Sequence, residues 1–175
     1  GTVYCTLPNN AARGRPGMPP AGAANPRAGN THGHIIRWNE GGDFDGTTFR
    51  WDHLVLAGDP AQPRAEAQGD IRGDLFACPD GIAFDARGLL WIQTDMHGAQ
   101  MHRGEFANMG SNQMLACDVA TGETRRFLTG PVNCEITGMT MTPDGRTMFV
   151  NVQHPGESPR GRSDPLEPGR YSTWP

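Results

Sequence analysis

The sequence predicts an all-β protein, a piece of a β-propeller holding roughly two and a half four-stranded blades. Three observations point there. A hairpin pattern occurs twice, the pair of strands after it also recurs, and the longest insertion falls at the same place in each unit. Antiparallel four-stranded units repeated in this way are the mark of propeller blades. The competing architecture is a β-sandwich with coincidental hairpins, and the explicit internal repeat favours the propeller.

The first hairpin is Pro79-Asp80-Gly81-Ile82-Ala83-Phe84-Asp85 followed by Gly88-Leu89-Leu90-Trp91-Ile92-Gln93-Thr94. It recurs as Thr137-Gly138-Met139-Thr140-Met141-Thr142 followed by Gly145-Arg146-Thr147-Met148-Phe149-Val150-Asn151. The turns between the strands, Asp85-Ala86-Arg87-Gly88 and Pro143-Asp144-Gly145-Arg146, have the composition that reverses a chain. Thr2 to Leu7 matches the second strand of the pattern, so the sequence reads as starting inside a repeat.

The outer strands come next in each unit. His34-Ile35-Ile36-Arg37-Trp38 and Thr47 to Gly58 form one pair. Gln113 to Asp118 and Thr124 to Gly130, around the turn Thr121-Gly122-Glu123, form the other. On this reading residues 1–58 are the end of one blade, 75–130 a complete blade, and 134–154 the first hairpin of a closing blade. Residues 155–175 are a Gly- and Pro-rich tail. A closed propeller needs at least four blades, so a fragment of a larger, single partial-propeller domain is expected.

Global features exclude some functions. A formal net charge of −4 gives no basic footprint for nucleic acid, and no stretch is apolar for long enough to span a bilayer. Cys5, Cys78, Cys117 and Cys134 lack metal-type CxxC spacing and read as small hydrophobes within strands.

The chemistry follows from the blade register. In a propeller the first strand of a blade lines the central channel, and the loop entering it shares a face with the loop joining the second strand to the third. Residues entering first strands are Cys78, Pro79 and Asp80, then Cys134, Glu135, Ile136 and Thr137. Those leaving second strands are Pro8, Asn9 and Asn10, then Asp95, Met96 and His97, then Gln153, His154 and Glu157. Oxygen-rich sets of this kind suit hard cations such as Ca²⁺. Asp80 enters a channel-lining strand, whereas Asp144, in a similar turn, lies on the opposite face. Glu135 stands at the edge of a run expected to be buried, where a carboxylate is costly without a cation or Arg partner. The six histidines have no helical metal spacing and read as surface or core residues.

Several segments also resemble one family. They are Tyr4-Cys5-Thr6-Leu7-Pro8-Asn9-Asn10, Asn25-Pro26-Arg27-Ala28 with Gly33 to Trp38, Pro79-Asp80-Gly81, Asn112-Gln113-Met114-Leu115, Cys134-Glu135-Ile136-Thr137-Gly138, and Asn151 to Glu157. Together and in this order they resemble the C-terminal part of the PhoX-type alkaline phosphatases. The resemblance implies a six-bladed parent exported to the periplasm or beyond, monomeric, and hydrolysing phosphate monoesters at a cluster of Fe³⁺ and Ca²⁺ in the channel mouth. It implies that Asp80, Glu135, Asn9 and Asn10 are metal ligands, and that the family's cysteine ligand is none of the four cysteines here. The chain alone would then be inactive. A calcium-dependent lactonase-like hydrolase and a non-catalytic, protein-binding propeller are the alternatives.

Overall fold

The computed structural model describes residues 1–41, 45–155 and 166–167. Glu157 and nearly all of the expected 155–175 tail lie outside the described residues. Ten strands follow in chain order: β1 (Thr2–Leu7), β2 (His34–Asn39), β3 (Arg50–Leu56), β4 (Arg72–Gly73), β5 (Pro79–Phe84), β6 (Leu90–Thr94), β7 (Gln113–Asp118), β8 (Glu123–Thr129), β9 (Glu135–Met141) and β10 (Met148–Gln153). They make three sheets, ordered β1-β2-β3, β4-β8-β7-β6-β5 and β10-β9. These are the two and a half propeller blades that the repeat predicts. The exception is β4, which lies parallel to β8 with Arg72 opposite Glu123 and Gly73 opposite Thr124.

The repeat extends to the irregularities. In the β5–β6 hairpin the pairing moves from Pro79↔Thr94 to Ile82↔Ile92, so Asp80 and Gly81 face Gln93. In β9–β10 it moves from Ile136↔Val152 to Met139↔Val150, so Thr137 and Gly138 face Asn151. Both are bulges in the first strand of the hairpin at the same register, and an extra residue there re-aims the side chains beside it. The outer hairpins share a second bulge, with Leu54 skipped in β3 and Phe127 skipped in β8. Each outer pair closes alike, by Ala57 N–H to Gly33 O at 3.1 Å and Gly130 N–H to Asn112 O at 2.8 Å.

Packing explains why the central blade holds its place. All of β6 is buried, and its side chains alternate between two cores as strand geometry requires. Leu90 and Ile92 join Ile35, Val55, Phe76 and Leu115 in the layer against the first sheet. Trp91 joins Met114, Cys134 and Ile136 in the layer against β9 and β10. Each such large side chain contributes about 1.5–3 kcal/mol by leaving water. A third cluster, Ala77, Cys78, Met96, Met101, Phe106 and Met109, anchors the 95–111 loop over one end of the central sheet.

Candidate active site

The end of the sheets where β1, β6 and β10 finish and β5 and β9 begin collects the polar residues picked out by the blade register. Asp80 sits in the β5 bulge, Asp95 follows β6, and Glu135 opens β9. Their carboxylate oxygens lie within 4.8 Å of one another. Asp80 and Asp95 are exposed and Glu135 is half-buried. A cavity of about 590 Å³ opens beside them, lined among others by Asp95, His97, Arg103, Asn133, Glu135 and His154. Asp80 and Glu135, both expected here, are thus brought together. Asp95, one of the residues leaving a second strand, completes the trio, and no motif in the sequence sets it apart.

The electrostatics of the trio favour a cation. Burial and then the charges of Asp95 and Asp80 push the Glu135 carboxyl above its usual range, with His154 opposing. Gln153 Nε2 donates to Glu135 Oε2 at 3.0 Å and lies 2.7 Å from His154 Nε2. An oxygen set held this close, in a site open to solvent, matches the ligand chemistry of hard divalent and trivalent ions.

The backbone around the trio is held in an uncommon shape. Cys78, His102, Asn133 and His154 are the non-glycine residues with positive φ among those described, at 53°, 60°, 61° and 52°. Cys78 lies two residues before Asp80, Asn133 two before Glu135, and His154 beside Gln153. Such conformations cost about 1–3 kcal/mol each and persist where the surroundings over-determine them. Cys78 is held by its N–H to His32 O at 2.7 Å, and its own carbonyl accepts from Asp95 N–H at 3.0 Å. That second bond ties the entry to β5 directly to Asp95.

Asn9 and Asn10 leave β1 on the same face. Asn9 is exposed and its Nδ2 lies 3.9 Å from Cys78 Sγ. Thr6 Oγ1 donates to Asp80 O at 2.7 Å, which fixes the end of β1 against the β5 bulge. Asn10 pairs through its backbone with Asn30, N–H to O at 2.6 Å, and so supports the loop after β1. The structure therefore sets Asn9 against Cys78, two residues before Asp80, while the backbone hydrogen bonds of Asn10 point to its own loop.

The comparisons with known proteins agree with this geometry. A family model described as alkaline phosphatase PhoX matches residues 1–156. The chain belongs to the PhoX alkaline phosphatase family. A solved structure of PhoX from Pseudomonas fluorescens, in complex with vanadate, a transition state analogue, is 45% identical with a TM-score of 0.82. That match covers 95% of this chain and 29% of the neighbour's, so the chain spans under a third of that PhoX protein's length. Comparison with curated proteins gives no match. As the absence of CxxC spacing suggests, three of the four cysteines behave as small apolar residues. Cys78, Cys117 and Cys134 are buried, and burial pushes their thiols up to about 12, 11 and 11. The histidines divide into core and surface residues as the sequence suggests, with His32 and His34 buried and His97 exposed.

Proposed function

We propose that this chain forms part of the active site of a phosphate monoesterase, with Asp80, Asp95 and Glu135 holding cations at the channel mouth. Calcium and iron are the ions that the PhoX resemblance implies, and Asn9 and Asn10 would offer amide oxygens from the neighbouring blade. The convergence of three carboxylates from two channel-lining strands and one adjoining loop carries the reading. No helix among the described residues is long and apolar enough to cross a membrane, and periplasmic or secreted placement rests on the family.

When bound, the cations supply charge neutralisation for the phosphoryl oxygens and a way to hold an oxygen nucleophile. The chain's own groups do the rest. The ionised Glu135 carboxylate, which burial and the charges of Asp95 and Asp80 disfavour, would be favoured by a bound cation. Arg103, on the loop over the cavity, presents a planar donor fork to an anionic substrate. The loops 11–33 and 95–111 shape the room left for the alcohol portion, which gives wide specificity when the metals read only the phosphate. Vanadate imitates a phosphoryl group in transfer, and its complex with the related PhoX supports this chemistry.

In the full-length protein, Glu135→Gln, Asp80→Asn and Asp95→Asn should each lower bound iron and calcium and aryl-phosphate turnover together, by more than about tenfold. Asp144→Asn is the control. It lies in the β9–β10 turn, at the far end of the hairpin from Glu135, where its carboxylate accepts from Thr142 Oγ1 and Arg146 N–H. Unchanged metal content and rate in all three site variants would remove the trio from the site. Hydrolysis of a sugar lactone without action on the aryl phosphate would favour the lactonase-like alternative.

A further inference from the structure

The residue just before β7 reaches across to two other segments. Asn112 is 1% exposed. Its Oδ1 accepts from Met96 N–H at 2.6 Å and from Thr94 Oγ1 at 3.0 Å. Its Nδ2 donates to Met96 O at 2.9 Å and to Cys134 O at 2.7 Å. Every donor and both lone pairs of the carboxamide are used, and the partners admit one orientation of the amide. Asn112 clasps Met96 as a neighbouring peptide would.

The partners are not scattered. Asp95 lies between Thr94 and Met96, and Glu135 follows Cys134. One buried side chain therefore holds the Thr94 side chain before Asp95, the Met96 backbone after it and the Cys134 carbonyl immediately before Glu135, across two blades. We infer that Asn112 is a positioning residue that sets the spacing of Asp95 and Glu135 and so the cation affinity of the site, an inference that rests on the metal-binding role proposed above. Groups that orient ligands without touching the ion change metal affinity by about 10–100-fold when removed.

A matched neighbour separates positioning from plain stability. Gln113 is equally buried and makes a similar set of bonds, with Nε2 donating to Leu75 O at 3.1 Å and Met109 O at 2.9 Å, and Oε1 accepting from Arg126 Nε. Neither Leu75 nor Met109 adjoins a carboxylate of the trio. Asn112→Asp and Gln113→Glu both replace two donors with an oxygen that faces carbonyls, and both should lower the melting temperature.

The test is calcium titration of chelator-treated full-length protein, read as the free Ca²⁺ giving half-saturation, alongside aryl-phosphate kinetics of the holoenzyme. Asn112→Asp should raise the half-saturating concentration about tenfold or more and lower kcat, while Gln113→Glu leaves half-saturation within about twofold. Should Asn112→Asp fail to fold, Thr94→Val removes one bond to the same oxygen and should shift half-saturation in the same direction by a smaller factor. Equal shifts in the Asn112 and Gln113 variants, or none at Asn112 or Thr94, would overturn the inference. If Glu135→Gln and Asp80→Asn also leave calcium binding untouched, the metal reading itself fails; if they abolish it and Asn112→Asp does not alter it, only the positioning role fails.

Discussion

Arg64 grips Glu105 with two nitrogens, Nε at 2.6 Å from Oε1 and Nη2 at 2.8 Å from Oε2. The pair joins the segment before β4 to the loop that covers the cavity. Around it, Gln62 Nε2 donates to Glu105 O at 3.0 Å, and the Phe106 ring stacks on His32 with centroids 4.6 Å apart.

Glu105→Gln should loosen this loop without unfolding the blade. Both partners are partly exposed, at 38% and 29% of their side chains, so the expected loss is only about 0.2–1 kcal/mol. Hydrogen exchange should quicken over residues 98–110 and stay unchanged in β6 and β7. Uniform acceleration through the central sheet would show that the pair supports the whole blade.

Acid should act at the same place and at the histidine core nearby. The Arg64 guanidinium holds Glu105 below its usual range, against the opposing effect of burial and with help from His32 and Thr31. A depressed carboxylate contributes stability above its ordinary range and loses that contribution as pH falls through the folded value. Burial lowers His32, where Arg27 and Arg64 also oppose protonation and Glu105 favours it. Burial likewise pushes His34 down to about 4, with His53, Arg27 and Arg13 adding to the effect and a bond to Ala24 O opposing it. For a histidine kept neutral in the fold, protonation favours the unfolded chain below about pH 6.5. All three groups work in one direction, the histidines from about pH 6.5 down and Glu105 only below about 4.5, so the melting temperature should fall steadily from about pH 6.5 towards 4 and keep falling below it. A flat profile over that window would contradict the assignment.

Gly33→Ala should be among the most damaging single changes in the first sheet. Gly33 has φ of 75°, and a Cβ there would sit 1.9 Å from Pro8 O and 2.5 Å from Leu7 O. Those are backbone atoms at the end of β1, and Arg27 Nη2 also donates to Gly33 O. The expected cost is more than about 3 kcal/mol, from strain and overpacking together. Gly22→Ala, with nothing within 4 Å of its Cβ, should change the melting temperature little.

What the sequence revealed, and what it hid, follow from range. The two hairpins and their turns are local, and the repeat of Pro79 to Thr94 in Thr137 to Asn151 carries them into view. The closeness of Asp80 and Glu135 was legible because blade register alone puts both at the same end of the sheets. Asp95 was harder, since an acidic residue leaving a strand is ordinary until its distance to Glu135 is known. The left-handed conformation of Cys78 leaves no trace in composition, for it depends on bonds to His32 and Asp95 from other segments. Asn112 is similar, as its clasp on Met96 and Cys134 exists only after two blades have packed. Two residues of parallel pairing have no periodicity, so β4 could not be read in advance.

That short β4 has a consequence for how the blade meets other chains. The outermost strand of a sheet presents unpaired backbone groups, a template on which a foreign strand can add. Here the segment entering the blade runs along β8 first. Asp74 N–H binds Thr124 O at 3.0 Å, and Asp74 Oδ2 accepts from Arg126 N–H at 2.8 Å. Over Glu123 to Arg126 the rim of the central blade is thus already occupied, by a strand pair and a charged side chain. Aggregation by strand addition is blocked there by the same segment that leads the chain towards Asp80.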